Sequence, residues 1–212
     1  DPIRSLLHML TWNFEPEIIS GLPIRWYGVM FAAMLMIAFQ AWRWQMTRAG
    51  KTEEESEAFL MAGVIAVIGG ARLGHCLFYE PAKYLSHPLE ILKVWEGGLA
   101  SHGATIGLLL AMLWWGRKYK MQFIEVLDRF SFSACIGVIF VRLANFTNSE
   151  IVGRVTDPES APFAVKFVRS IEDRARANLQ TGDFSQVPWR HPAQLYEAAI
   201  GLIVLAIAVL GA

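Results

Sequence analysis

The most informative stretch of this chain reads Val141-Arg142-Leu143-Ala144-Asn145-Phe146-Thr147-Asn148-Ser149-Glu150-Ile151-Val152-Gly153-Arg154. It ends a long apolar run that begins near Phe130, which places Arg142 and Asn145 in or beside the hydrocarbon of a membrane. A fixed cation at that depth costs roughly 2.5–3.5 kcal/mol on insertion scales, so it needs a compensating partner. Phosphate oxygens match the planar guanidinium group, and a lipid headgroup is therefore the first ligand to consider.

The composition is that of an integral membrane protein. Of the 212 residues, 54% are hydrophobic and only 18% are charged. Lys plus Arg number 19 and Asp plus Glu also number 19, so no net charge favours nucleic acid as a partner. Cys76 and Cys135 lie in apolar stretches, and we interpret them as small hydrophobic residues rather than as a disulfide framework.

Five segments approach the roughly 20 apolar residues that a membrane-spanning helix needs. They cover residues 27–44, 58–80, 99–116, 125–147 and 193–212. The second segment contains Ile68-Gly69-Gly70-Ala71-Arg72, whose small residues allow a neighbouring helix to approach closely. We therefore predict an all-α integral membrane protein, a polytopic helical bundle with about five spans.

Basic residues in the loops predict the orientation. The loops after spans one and three are rich in Lys and Arg, whereas the loop between spans two and three has only Lys83 and Lys93. By the positive-inside rule, the first two loops are cytoplasmic. The prediction divides the chain into spans one to four (1–147), a small extracytoplasmic head segment (148–191) and span five (192–212). Span five ends at Ala212 without a charged anchor, which indicates that the chain is part of a longer protein.

With this orientation, polar residues from four spans lie near one leaflet. Tyr27 is at the outer start of span one, and Arg72 is in the outer half of span two. His102 is near the outer start of span three, and Arg142 and Asn145 are at the outer end of span four. The residues share a leaflet even if the orientation is reversed. Polar groups inside a membrane usually mark a functional site, so we expect one shared pocket.

Each of these residues also has a simpler interpretation, which the sequence leaves open. Arg142 could extend its charge to the interface and do nothing else, and Arg72 could pair with a structural acid. His102 could be a core histidine bonded to a backbone carbonyl. Tyr27 could belong to an interfacial belt of aromatic residues.

Five motifs then occur in the order found in one known family, and together they cover nearly the whole chain. On them, the chain resembles the bacterial prolipoprotein diacylglyceryl transferases. The resemblance implies seven spans in the full protein. The motifs are Arg25-Trp26-Tyr27-Gly28, Gly69-Gly70-Ala71-Arg72-Leu73-Gly74, Val94-Trp95-Glu96-Gly97-Gly98-Leu99-Ala100-Ser101-His102-Gly103, the stretch 142–154, and Arg190-His191-Pro192-Ala193-Gln194-Leu195-Tyr196-Glu197.

The resemblance implies an activity and its partners. Such enzymes move the diacylglyceryl group of phosphatidylglycerol to the thiol of a lipobox cysteine, next to the signal peptide of a preprolipoprotein, and release glycerol phosphate. The implied location is the bacterial cytoplasmic (inner) membrane, in which the multi-pass chain contacts membrane lipid and its site faces the outer leaflet. No cofactor is implied, and the sequence has no cluster with metal-ligand spacing.

The resemblance also implies roles for individual residues. His102, Arg142 and Asn145 match the essential positions and are the predicted catalytic residues. We expect His102 to take the thiol proton, Arg142 to stabilise the departing phosphate and Asn145 to donate a hydrogen bond to the phosphate or the headgroup. Glu150 has a simpler alternative, as a surface acid or the ion-pair partner of Arg154. The predicted substrate-binding residues are Tyr27, Arg72, Glu150, Gly153 and Arg154.

Two other functional classes remain open from the residues alone. A small transporter or channel for an anionic solute would need polar groups spread along a path across the bilayer. A structural subunit of a membrane complex would use its arginines as interface pairs and would bind no lipid.

Overall fold

Long helices dominate the structure, a computed structural model that describes residues 10–19 and 24–211. Within those ranges there are six α-helices and two short strands. Segments Pro88–Leu92, Val94–Glu96 and Arg174–Arg176 form single 3₁₀ turns. The strands are β1 (Leu10–Trp12) and β2 (Val165–Phe167), and the helices are α1 (Trp26–Arg48), α2 (Glu53–Phe78), α3 (Pro81–Ser86), α4 (Ser101–Lys118), α5 (Phe123–Thr147) and α6 (Ala193–Leu210).

The five long helices coincide with the five predicted spans. The largest difference is at the start of α2, which begins at Glu53 rather than near residue 58. Thr52 caps this helix, because its hydroxyl accepts a hydrogen bond from Glu55 N while the Glu55 carboxylate accepts one from Thr52 N. Among the described residues, α2 and α6 are long and apolar enough to cross a membrane, and the number of spans stays a prediction.

Two compact units divide the chain. The terminal unit consists of Asp1–Ala38 and Phe132–Ala212, and the central unit consists of Phe39–Ser131. Helices α1 and α5 each contribute residues to both units. Of the predicted site residues, His102 and Arg72 belong to the central unit, and the other six belong to the terminal unit.

The central unit is built around two buried tryptophans. The Trp42 and Trp115 rings meet edge to face, with centroids 5.3 Å apart. The Trp115 indole N–H donates to Glu55 O at 2.7 Å, and that of Trp42 donates to Ser56 O at 3.3 Å. Buried tryptophans normally satisfy this donor, and here both bonds end on the first turn of α2. The rest of this core is apolar: Met46, Phe59, Met112, Met121 and Val126.

Helices α2 and α4 pack backbone against backbone. A Cβ atom added to Gly70 would lie 2.4 Å from Gly103 O, and one added to Gly107 would lie 2.0 Å from Ala66 O. A Cβ on Gly103 would meet Gly74 Cα at 2.9 Å. Contacts that pair later residues of α2 with earlier residues of α4 make the two helices antiparallel. Small residues at four-residue spacing on both helices permit this approach, as predicted for the segment around Gly70.

The terminal unit includes a small sheet that the prediction of an all-α fold does not contain. Strand β1 pairs in parallel with β2, and Leu10 is opposite Val165. Arg190 forms antiparallel bridges with both Val155 and Val165. Three-residue strands are too short to show the alternating pattern of a strand, so no pattern in the sequence predicts them. Residues 10–12, grouped with the spans in the sequence analysis, thus pair with the head segment.

Helices of the terminal unit pack through small residues. Ser133 Oγ of α5 donates to Ala38 O of α1 at 2.8 Å. Gly201 of α6 is buried against α5, where an added Cβ would lie 3.0 Å from Ile139. Phe146, at the end of α5, packs on Phe167 of β2 with ring centroids 5.6 Å apart. The end of α5 is therefore fixed against the head segment.

The packing of α2 on α4 predicts opposite effects for two adjacent glycines. Gly70→Ala should lower the free energy of unfolding by about 1–3 kcal/mol, because its methyl group would overlap Gly103 O. Gly69→Ala is the matched control: nothing lies within 4 Å of its added Cβ, so it should be neutral or stabilise by up to about 1 kcal/mol. Thermal unfolding of the purified protein in detergent measures both. Equal effects would contradict this packing.

Candidate functional site

Helix α5 ends in a turn that redirects the chain. Ser149 N donates to Phe146 O at 3.1 Å, and Glu150 N donates to Asn145 O at 2.9 Å. Ser149 has φ of +57°. This is the Schellman arrangement, in which a left-handed residue follows the helix, and glycine is its usual occupant. The turn leads directly into residues 148–154, called the signature loop below.

The signature loop holds a second left-handed residue, Ile151, with φ of +53°. For residues with a Cβ, this conformation costs about 1–2 kcal/mol each, and β-branched residues adopt it rarely. Hydrogen bonds to the loop backbone on either side of Ile151 hold the loop in place. Gln194 Nε2 donates to Glu150 O at 2.7 Å, and Gly153 N donates to His191 O at 3.0 Å. The strain is concentrated in the loop that carries the predicted substrate-binding residues, which is common at functional sites.

Gly153 is required by the close approach of two backbone segments. A Cβ atom at this position would lie only 2.4 Å from His191 O. Arg154 O accepts a hydrogen bond from His191 N at 3.1 Å, while the Arg154 residue itself is exposed. The backbone contact explains why residue 153 is a glycine. Substrate binding by Gly153 and by the exposed Arg154 stays a prediction.

Arg142 forms an ion pair that the sequence analysis did not identify. Its Nε lies 2.7 Å from Glu197 Oε2 of α6, and the Arg142 side chain remains 27% exposed. Neither the predicted catalytic role of Arg142 nor the alternative of a purely interfacial cation included this partner. A signal was available, because Glu197 belongs to the motif that opens span five and is expected at the same depth.

Asn145 is buried at 3% exposure, and its Nδ2 has no hydrogen-bond partner among the described residues. Three further buried side-chain atoms near the end of α5 share this property in the described part of the chain: Asn148 Oδ1, Ser149 Oγ and Gln194 Oε1. Buried polar atoms are nearly always hydrogen-bonded. The cluster therefore offers donors and acceptors to a polar group, and Asn145 contributes a donor.

Tyr27 and Glu150 line the same open cleft of about 330 Å³. Arg25, Gly28 and Asn148 complete its lining. Glu150 Oε1 accepts a hydrogen bond from Asn148 Nδ2 at 3.2 Å. The volume is within the range of small-ligand sites. The cleft joins two predicted substrate-binding residues and adds Arg25, a cation that the sequence analysis did not select.

In the central unit, His102 is exposed on the first turn of α4. Its ring contacts the rings of Phe78 and Tyr79, with centroids 5.4 and 5.7 Å away. This exposure contradicts the alternative of a buried core histidine. Since the adjacent Gly103 packs on α2, the backbone of His102 is fixed while its side chain is accessible. Its predicted convergence with Arg142 and Asn145 joins two different units and stays a prediction.

Arg72 is 2% exposed and its guanidinium is occupied by backbone carbonyls. Nε donates to Ile91 O at 2.9 Å, Nη1 to Gly97 O at 2.5 Å and Nη2 to Glu90 O at 2.7 Å. These bonds hold the segment that leads into α4 and His102. The headgroup contact predicted for Arg72 and its alternative pairing with an acid both stay predictions.

Among the described residues, long apolar helices carry a cation, a buried amide without a partner and a cleft near one helix end, which is an arrangement typical of membrane proteins with a polar site. The model of the family described as prolipoprotein diacylglyceryl transferase matches residues 16–212. Two relatives are each named phosphatidylglycerol–prolipoprotein diacylglyceryl transferase. The one from Tolumonas auensis is 40% identical over 194 residues, which cover 90% of this chain and 68% of the relative. The one from Porphyromonas gingivalis is 40% identical over 205 residues, with 93% and 68% covered.

The chain therefore belongs to the prolipoprotein diacylglyceryl transferase family. It is a mostly helical membrane transferase, as the motifs predicted. Membership in a transferase family excludes the two alternative classes, a transporter or a structural subunit, as its main function.

The strain in the signature loop predicts an unusual effect of glycine. Ile151→Gly should raise the free energy of unfolding by about 1 kcal/mol, because glycine adopts a positive φ without a steric penalty. Ile151→Ala is the control, since alanine also removes the half-exposed side chain but keeps the penalty. Thermal unfolding in detergent compares them. A glycine variant no more stable than the alanine variant would contradict the strain.

Proposed function

We propose that this chain transfers the diacylglyceryl group of phosphatidylglycerol to the lipobox cysteine thiol of preprolipoproteins. The observation that carries the proposal is the placement of Arg142 and the unpaired Asn145 amide at the end of an apolar helix, within the family's signature motif. The test is transfer of the lipid from phosphatidylglycerol to a lipobox peptide, measured as a mass increase of the peptide. A peptide with serine in place of the cysteine is the control.

The reaction forms one bond and breaks one. The cysteine sulfur bonds to the glyceryl carbon, and the bond between that carbon and the phosphate oxygen breaks. The electron pair of the broken bond stays on glycerol phosphate, and the thiol proton passes to a base. The thiolate is the nucleophile, and a free cysteine has a pKa near 8.5, so a base near neutrality accelerates the step.

His102 is the proposed base. Its exposed ring stands at the start of α4 and is held only by aromatic contacts in the central unit, which leaves its nitrogens accessible to a thiol. Histidine titrates in the range where a general base works best, and such catalysis typically contributes about 10²–10⁴-fold. No metal or cofactor is part of this proposal.

Arg142 is proposed to stabilise the charge on the departing phosphate. Glu197 orients its guanidinium through Nε, and the planar fork matches phosphate oxygens. In a site that excludes water, such an interaction is strengthened. The unpaired Asn145 Nδ2 supports a donor role toward the same headgroup.

The cleft is proposed to receive the glycerol part of the headgroup. Tyr27 and Glu150 line it, and Arg154 is exposed at the end of the signature loop. A phenol and a carboxylate suit the hydroxyl groups of glycerol, which both donate and accept hydrogen bonds. This assignment makes the cleft the part of the site that distinguishes phosphatidylglycerol from other phospholipids.

We further propose the location and topology. The chain would cross the bacterial cytoplasmic membrane five times, with residues 148–191 outside and the site at the outer leaflet. The basic loops after α1 and α4 support this orientation. The lipobox cysteine of the peptide substrate would enter the site laterally from the membrane.

His102→Gln is predicted to fold normally and to lose at least about 10²-fold in kcat for transfer to a lipobox peptide, because no base takes the thiol proton. His87→Gln is the control, since His87 is also exposed in the central unit, and the hydrogen bond of its ring with Ser86 Oγ is the only side-chain bond it makes among the described residues. Transfer by the glutamine variant at the wild-type rate would remove His102 from the chemistry.

Arg142→Lys is predicted to lose about 10²–10³-fold in kcat/KM, because lysine keeps the charge but loses the planar fork. Arg129→Lys is the matched control: Arg129 also lies on α5 and pairs with an acid, Glu125, at 2.9 Å. That control should retain nearly full activity. Near-normal kinetics for Arg142→Lys would show that a positive charge alone is sufficient there.

A further inference from the structure

A buried carboxylate of the head segment is linked to the signature loop through Arg190. It has no part in the catalytic and binding roles proposed above. Asp173 is fully buried, and it binds the guanidinium of Arg190 through both oxygens. Nε donates to Oδ2 at 2.5 Å, and Nη2 donates to Oδ1 at 3.0 Å. The remaining nitrogen, Nη1, donates to Gly153 O at 3.1 Å. One side chain thus joins the core of the head segment to the signature loop.

The backbone of Arg190 strengthens this connection. Arg190 N donates to Val165 O, and Val165 N donates to Arg190 O, both at 2.9 Å. On its other side, Arg190 forms an antiparallel bridge with Val155, flanked by bonds from Thr156 N to Trp189 O and from His191 N to Arg154 O. Residue 190 therefore lies between β2 and the end of the signature loop, and both its backbone and its side chain are fixed.

We infer that Asp173 and Arg190 are positioning residues for the transfer reaction: together with the Gly153 carbonyl they form a loop clamp that sets the positions of Glu150 and Arg154. The inference rests on the proposed function in assigning headgroup contacts to those two residues. Glu150 and Arg154 lie three residues and one residue from Gly153 in a loop that contains the strained Ile151. A loop under strain keeps its conformation only if its surroundings hold it, and the clamp supplies one of those contacts.

The chemistry of the clamp requires arginine. A bidentate bond to a carboxylate uses two nitrogens of the fork, and the third still reaches a carbonyl oxygen. Lysine offers a single nitrogen and cannot make both contacts in the same plane. The hydrogen bonds with Asp173 raise the pKa of Arg190 above its ordinary value, which favours its charged form.

The chain contains a matched control for this proposal. Arg176 Nη1 also binds Asp173 Oδ1, at 2.9 Å, and its side chain is 55% exposed. It pairs with the same carboxylate as Arg190 and lies on a 3₁₀ turn, away from the bond to Gly153. Loss of Arg176 therefore removes an ion pair of Asp173 and leaves the bond to the signature loop in place.

The first measurement is kinetic and separates positioning from folding. Arg190→Lys should raise the KM for phosphatidylglycerol about 10-fold or more, with the KM for the lipobox peptide unchanged, because misplaced headgroup contacts weaken one substrate only. Arg176→Gln should change both values less than about twofold, since it leaves the bonds of Arg190 to Asp173 and to Gly153 O in place. A fall in kcat that only follows the folded fraction, or an equal KM increase in both variants, would overturn the inference.

The second measurement needs no activity. Amide hydrogen exchange of a peptide covering residues 148–156 should be about 10-fold faster in Arg190→Lys than in the wild type, and unchanged in Arg176→Gln. Unchanged exchange in Arg190→Lys would overturn the clamp. If Arg190→Lys does not fold, Asp173→Glu keeps both charges, displaces the carboxylate by one methylene group and should give both effects. A wild-type protein without transfer activity would overturn the proposed function and leave the exchange result to decide the clamp.

Discussion

Helix α5 is mostly apolar from Phe130 to Phe146, apart from Arg142 and Asn145. Where the chain leaves this helix for the polar head segment, the last backbone carbonyls of the helix need hydrogen-bond donors. Glu150 N supplies such a donor to Asn145 O, and this bond turns the chain at Ser149. After this turn, Asn145 is buried and Glu150 is exposed. The signature loop then bonds to the backbone of residues 190–191. Because an apolar medium supplies no water to satisfy the end of a helix, the geometry of the whole candidate site depends on how this one helix ends.

In the central unit, His102 is exposed while the backbone around it is held by packing and hydrogen bonds. Contact between Gly70 and Gly103 fixes the start of α4, and Arg72 holds the preceding segment through its carbonyls. The glycine contact lies next to His102, and the Arg72 bonds lie on the segment that precedes α4. The two parts of the proposed chemistry are thus divided, with the base in the central unit and the phosphate-binding groups in the terminal unit.

Two arginines illustrate how burial and partners decide a role. Arg72 and Arg142 both lie in apolar helices and were both predicted to contact a headgroup. Arg72 is fully enclosed and its donors end on backbone carbonyls, whereas Arg142 is partly exposed and pairs with a carboxylate on another helix. A guanidinium whose donors bond to carbonyls has fewer of them left for a ligand, so Arg142 is the better candidate of the two for the phosphate.

The lengths of the apolar runs determined that the chain forms five long helices, and the ordered motifs determined its family and most of its candidate residues. Apolar runs of this length have few other stable structures, and a signature motif is legible without coordinates. Tertiary structure alone decided the partner of Arg142 and the carbonyl bonds of Arg72. It also decided the sheet beside the head segment and the link from Asp173 through Arg190 to Gly153. Each depends on residues that are distant in sequence or on strands too short to leave a pattern, and such contacts exist only once the helices and the head segment have packed.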